Sequence, residues 1–202
     1  MKKLLFVVML NLVLTPLAAQ ETNAFEQHTL SFDLGTLRNR YIYPTTNLNY
    51  TSPLLQKFPV RFSLRLRSYG TWLIFSRSAY DATPLAEYIF SRNAQRFSFG
   101  AGIGLDARLR FVNDERSDAA SSAEPLISLA AYGNFNRFSF KLPLWTRFYS
   151  NGIALTVLPE VAWKAGKRTA VFFRWEESLL RIYNNRSQEW RNDCFLGAAF
   201  MF

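Results

Sequence analysis

Cysteine and histidine are almost missing from this chain: Cys194 and His28 are the only ones in 202 residues. A single cysteine cannot close an internal disulfide, so no oxidised scaffold holds the fold. One histidine and one cysteine far apart in sequence make a poor ligand set, and neither metal nor other cofactor is expected. Long apolar runs are scarce as well. After residue 20 no stretch approaches the length that a membrane-spanning helix needs. There is no internal repeat beyond a rhythm of short strands and turns, and no linker that would divide the chain into domains. Gly100, Gly102 and Gly104 lack the GxGxxG spacing and the following helix of a dinucleotide site. They sit within a strand pattern, where glycine makes room for bulky neighbours.

What the chain does have is apolar material in alternation. Hydrophobic residues make up 49% of it, with 19 phenylalanines. Without long runs, that content implies the two-residue period of strands. Residues 60–67 show it best: Val60, Phe62, Leu64 and Leu66 alternate with Arg61, Ser63, Arg65 and Arg67. A helix repeats every 3.6 residues and cannot separate these onto two faces. The same reading gives ten strands, at 28–37, 46–52, 60–67, 85–91, 96–111, 125–134, 137–148, 152–164, 169–183 and 190–202. The second and fourth are weakly marked, so eight or twelve strands are the alternatives. Longer connections at 38–45, 76–84, 113–124 and 184–188 fall on one side, with an unusually short one at 150–152. Those at 53–59, 93–95, 134–137 and 166 fall on the other.

The two ends carry export and membrane signatures. Lys2 and Lys3 precede an apolar run from Leu4 to Leu14 and then Thr15-Pro16-Leu17-Ala18-Ala19. This reads as a signal peptide over residues 1–19, cleaved after Ala19. No cysteine stands there to take a lipid. The remaining residues 20–202 suit one domain. At the other end, Leu196, Ala198, Phe200 and Phe202 share one strand face, and Gly197, Ala199 and Met201 the other. This ending resembles the terminal strand of bacterial outer-membrane proteins. The resemblance implies an all-β, antiparallel transmembrane β-barrel in the outer membrane. It also implies that Phe200 and Phe202 act as an assembly signal for the barrel-assembly machinery.

Which face looks outward decides the class. A soluble, lipocalin-like barrel turns its apolar face in and binds within it; a membrane barrel does the reverse. The long apolar face of residues 97–111 and the aromatics near strand ends (Trp72, Tyr88, Phe111, Trp163, Trp190 and Phe202) favour the membrane. The charges must then line the lumen: Arg61, Arg65, Arg67, Asp106, Arg108, Arg110, Lys141, Glu160 and Arg174, with Asp33, Glu87 and Arg147 beside them. The formal charge is +9. In a cytosolic protein that would suggest nucleic acid; in an exported one, outer-membrane lipid and lipopolysaccharide are the expected neighbours, with no nucleic acid. Residues 38–43, rich in Arg and Tyr, form a candidate surface patch. Barrel enzymes that act on lipid A or on peptides rely on a catalytic histidine. His28 is expected on the periplasmic side, away from where such sites face, so no enzymatic activity is expected. The resulting expectation is a monomeric barrel with a structural or envelope-interaction role. A narrow, anion-preferring pore is the alternative, because bases outnumber acids in the expected lumen.

Overall fold

The computed structural model describes residues 27–39, 41–55, 57–69, 78–90, 97–111, 122–182 and 188–202. Its elements are strands: β1 (Thr29–Asn39), β2 (Tyr41–Thr51), β3 (Val60–Tyr69), β4 (Ser78–Ile89), β5 (Phe97–Phe111), β6 (Ser122–Phe135), β7 (Phe138–Tyr149), β8 (Gly152–Val157), β9 (Glu160–Lys164), β10 (Thr169–Ile182) and β11 (Gln188–Met201). Each pairs antiparallel with its neighbour, and β11 pairs with β1 to close the sheet. β8 and β9 are two halves of one wall strand. Leu144 opposite Val157 and Lys141 opposite Glu160 keep a single register against β7 through the gap. Pro159 has no N–H to donate, so the ladder loses a rung there without shifting. The barrel therefore has ten wall strands. At the seam His28 and Phe202 exchange two backbone hydrogen bonds of 3.1 and 3.0 Å, which puts both ends of the sheet at one rim.

The alternation in the sequence becomes inside and outside. Phe32, Phe62, Phe99, Leu129, Phe173 and Leu196 are exposed, and Ile103 reaches 72%. Arg61, Arg65, Arg67 and Arg174 are at most 8% exposed, and Asp33 is fully buried. A water-soluble barrel requires the opposite arrangement. Lipid supplies no hydrogen bonds to a backbone edge, and a closed sheet has no edge to satisfy. The chain is thus a transmembrane β-barrel of the bacterial outer-membrane type, with an even strand number and both ends of its sheet at one rim, the periplasmic one in barrels of this type. Aromatics crowd that rim on the outer surface. Tyr88 meets Phe90 edge-on at 5.3 Å, Phe97 meets Phe135 likewise at 5.3 Å, and Trp163 and Phe202 are exposed nearby. Trp190 is exposed near the other rim. Trp72 and the Phe111 side chain lie outside the described residues, as do residues 1–19.

Several boundaries differ from the expectation. The connection expected at 38–45 is strand: Asn39 pairs with Tyr41, leaving only Arg40 between β1 and β2. The patch expected at 38–43 is therefore two ladder ends, not a loop. Tyr, Ile and Thr favour the pleated sheet, and β1 offers them a full row of partners. The connection expected at 76–84 is largely β4, which begins at Ser78. Its inward residues, Asp81 and Thr83, are polar and its outward Ala82 and Pro84 are small, so the stretch lacks the contrast that marks a strand. β6 likewise takes in residues 122–124, part of the expected polar loop. The connection expected at 134–137 is a tighter turn, with only Asn136 and Arg137 between the strands. Phe135 pairs with Phe138, and Asn136 takes a φ of 50°, as the first central position of a primed hairpin turn requires. The turn expected at 93–95 lies outside the described residues.

Candidate functional site

The barrel interior is mostly filled, by polar networks and by apolar clusters such as Leu85, Leu126, Trp145 and Leu158. Near the periplasmic rim, Glu87 on β4 accepts from Arg61 Nε at 3.0 Å and Nη2 at 2.8 Å, and from the Tyr132 hydroxyl at 2.9 Å. The Arg61 guanidinium lies 4.5 Å over the Tyr132 ring. Three strands are tied by one carboxylate. Gly102 makes this possible from the neighbouring wall. A Cβ there would fall 2.6 Å from the Ala86 carbonyl and 2.8 Å from Glu87 Cγ.

A second network crosses the lumen. Arg174 on β10 donates to Glu160 on β9 at 2.6 and 2.8 Å and to Asp33 on β1 at 2.8 Å. Asp33 also accepts from Asn47 and, at 3.2 Å, from Asn49 on β2. Asn47 Oδ1 accepts from Arg65 Nε at 3.2 Å and Arg67 Nε at 2.8 Å on β3. Both arginines then reach Glu176 on β10, Arg65 at 2.8 Å and Arg67 through a bidentate contact. Strands β11, β1 and β2 stand between β10 and β3, so these ion pairs are chords across the barrel rather than contacts along its wall. Rings stack on the chords: Arg67 lies 5.2 Å over Phe195 and Arg65 lies 5.5 Å over Trp145. Planar guanidinium suits this double use, pairing in its plane and stacking on its face.

The outer half holds a third group. Arg108 pairs with Asp81 at 3.0 Å and Arg147 with Asp106 at 2.7 Å, while Thr83 donates to Asp106 at 2.8 Å. The Arg147–Asp106 contact is an ion pair without hydrogen-bond alignment at Nε; its Nη1 donates to Thr156 at 2.6 Å.

Of the residues expected in the lumen, Arg61, Arg65, Arg67, Asp106, Arg108, Lys141, Glu160 and Arg174 all contribute to these networks or line the interior cavities. The Arg110 side chain lies outside the described residues. Sequence reasoning missed Asp81, Glu176 and Asp193. Glu176 follows Arg174 by two residues, and Asp193 precedes Phe195 and Gly197 at the same parity, so the strand period alone marks them as inward. With these acids the described lumen has Arg61, Arg65, Arg67, Arg108, Lys141, Arg147, Lys164, Arg174 and Arg191 against Asp33, Asp81, Glu87, Asp106, Glu160, Glu176 and Asp193. The expected surplus of bases shrinks to nine cations against seven carboxylates. Phe200 and Phe202 are exposed on the outer wall at the periplasmic rim, and Cys194 faces outward too.

His28 is placed at the seam. Its Nδ1 lies 2.7 Å from the Tyr50 hydroxyl, and its ring stacks on Phe202 at 5.5 Å. Among the described residues no group of His, Cys, Asp and Glu has the geometry of a metal site.

No family model and no curated protein matches the chain. Solved outer-membrane barrels do resemble it in shape. Neisserial surface protein A matches at 10% identity over 87% of this chain and 96% of its own, with a TM-score of 0.42. The KdgM porin matches at 11% identity over 86% and 99%, with a TM-score of 0.45. An active-site mutant of outer membrane phospholipase A from Escherichia coli matches at 10% identity over 96% of each chain, with a TM-score of 0.41. Likeness at this level carries no functional assignment; the barrel's own inside-out distribution of charge and apolar surface is what makes it an outer-membrane barrel.

Proposed function

We propose that this barrel is a monomeric, non-enzymatic outer-membrane protein with a structural or envelope-interaction role. The observation that supports it most is the chord of ion pairs from Arg65 and Arg67 to Glu176, which fills the mid-lumen with groups that satisfy one another. A through-channel needs a continuous wet path, and here the path is occupied by hydrogen-bonded side chains. The sole histidine is engaged by Tyr50 and stacked at the seam, which supports the absence of histidine-dependent lipid or peptide chemistry. Lipopolysaccharide and outer-membrane lipid are the proposed neighbours of the apolar wall. Phe200 and Phe202, exposed on the last strand, are the proposed contacts for the barrel-assembly machinery.

A narrow pore is the second reading. Arg65 and Thr83 line both the outer and the periplasmic cavity, so only side chains separate the two. Planar-bilayer recording of the purified protein distinguishes the readings. The sealed-lumen reading predicts no current above that of the bare bilayer. Steady ohmic current with anion preference, altered by Arg65→Glu, would replace it with the pore.

A further inference from the structure

The two halves of the lumen differ in charge as well as in size. The outer cavity, about 70 Å³, is lined by five arginines and four carboxylates and is close to neutral. The periplasmic cavity, about 190 Å³, is lined by Arg61, Arg65, Lys141, Lys164 and Arg174 but by only one carboxylate, Glu160. Most of these cations are already committed: Arg61 to Glu87, Arg65 to Glu176, Arg174 to Glu160 and Asp33. Lys141 is different. Among the described residues its ammonium makes no direct ion pair or hydrogen bond; it lies 5.9 Å from the Tyr132 ring centre, within the fields of Glu160, Glu87 and Arg61. Glu160 stands opposite it in the ladder but accepts its hydrogen bonds from Arg174.

The rest of the wall is mixed, with Ser31, Asn49, Ser63 and Tyr132 on it as well as an apolar part. Trp145, Leu158, Phe172 and Met201 face the same space. A desolvated ammonium beside aromatic and aliphatic surface is the complement of an anion with a compact apolar body. The volume suits a single ring: an apolar cavity of about 150 Å³ is enough to hold benzene. Thr29, Lys164 and Met201 extend the lining to the rim where His28 and Phe202 close the seam, and the mid-lumen chord bars the way to the outer side.

We propose that the periplasm-facing half of the lumen is a binding site for a compact apolar carboxylate, with the carboxylate on Lys141 and the apolar body against Trp145 and Phe172. The site is reached from the periplasmic rim. It does not depend on whether the barrel is structural or conducting.

The test uses the full mature barrel in zwitterionic lipid nanodiscs, titrated with benzoate and with its uncharged relative benzyl alcohol. Binding is followed by perturbation of the Lys141 side-chain and Trp145 indole resonances. The proposal predicts saturable benzoate binding, with benzyl alcohol weaker by about tenfold or more, the factor expected for one charge-assisted hydrogen bond. Lys141→Met should weaken benzoate by the same factor, and Lys141→Arg should retain it within a few-fold. Folding of each variant is checked by its heat-dependent gel mobility. Lack of saturable benzoate binding by the parent barrel would overturn the proposal, as would equal affinity for benzyl alcohol. The parent comparison of the two ligands decides the matter even if Lys141→Met does not fold. Undiminished benzoate binding by a folded Lys141→Met would also sink it.

Discussion

Glu176→Gln should be among the most damaging single substitutions in this barrel. The Glu176 carboxylate receives bonds from two guanidiniums, Arg65 and Arg67, and all three side chains are at most 8% exposed. Removing the charge leaves two buried cations whose remaining shared acceptor is Asn47 Oδ1. Breaking a buried pair on one side costs about 3–5 kcal/mol in protein interiors, because the partner charge is stranded. Cavities above and below the chord admit water, which lowers the cost toward the bottom of that range. The expected loss is therefore about 3 kcal/mol, roughly a hundredfold in the folding equilibrium. Urea titration of the barrel in lipid vesicles reads this directly, provided that refolding and unfolding curves coincide. Replacing all three groups together (Arg65→Met, Arg67→Met, Glu176→Leu) should cost less than Glu176→Gln alone, since no charge is stranded. A Glu176→Gln barrel within about 0.5 kcal/mol of the parent, the range of an ordinary surface change, would refute the reasoning.

Other outcomes follow from the same geometry. Leu129→Arg, at an exposed mid-strand position on the outer wall, should cost about 2–4 kcal/mol in vesicles. Gly102→Val should destabilise by about 1–3 kcal/mol, because its Cβ would fall 2.6 Å from the Ala86 carbonyl, which cannot move without parting β4 from β5. Truncating both aromatics (Phe200→Ala with Phe202→Ala) should lower the amount of heat-modifiable barrel in outer-membrane fractions more than it lowers the stability of barrel refolded in detergent. Equal losses in the two assays would mean that the pair acts by packing rather than as an assembly signal.

The strands that the sequence displays most clearly are those with large contrast between their faces. β3 alternates Val, Phe and Leu with Arg, and β5 alternates Phe, Ile and Leu with Gly, Asp and Arg, so a period of two is visible without any structure. β2 and β4 are less legible because their outward residues include Thr46, Ala82 and Pro84, whose apolar signal is small. Their place in the sheet comes from the backbone ladder offered by β1, β3 and β5, which is not a property of their own residues. The inward charges follow from parity once the outward face is known. What parity cannot give is pairing: Arg65 and Glu176 are 111 residues apart and meet only because the closed barrel brings β3 opposite β10. That Lys141 makes no direct ion pair is likewise invisible in sequence, where Glu160 looks like its natural partner across the ladder; the structure gives that carboxylate's hydrogen bonds to Arg174.

Tryptophan fluorescence in bilayers containing brominated lipid measures the direction in which each face of the sheet points. Trp175 is 46% exposed on the outer wall, whereas Trp145 is 8% exposed in the lumen. In folded barrels retaining one tryptophan each, bromine on the acyl chains should quench Trp175 strongly and leave Trp145 almost unchanged. Strong quenching of Trp145 with Trp175 unaffected would turn the barrel inside out and contradict the account.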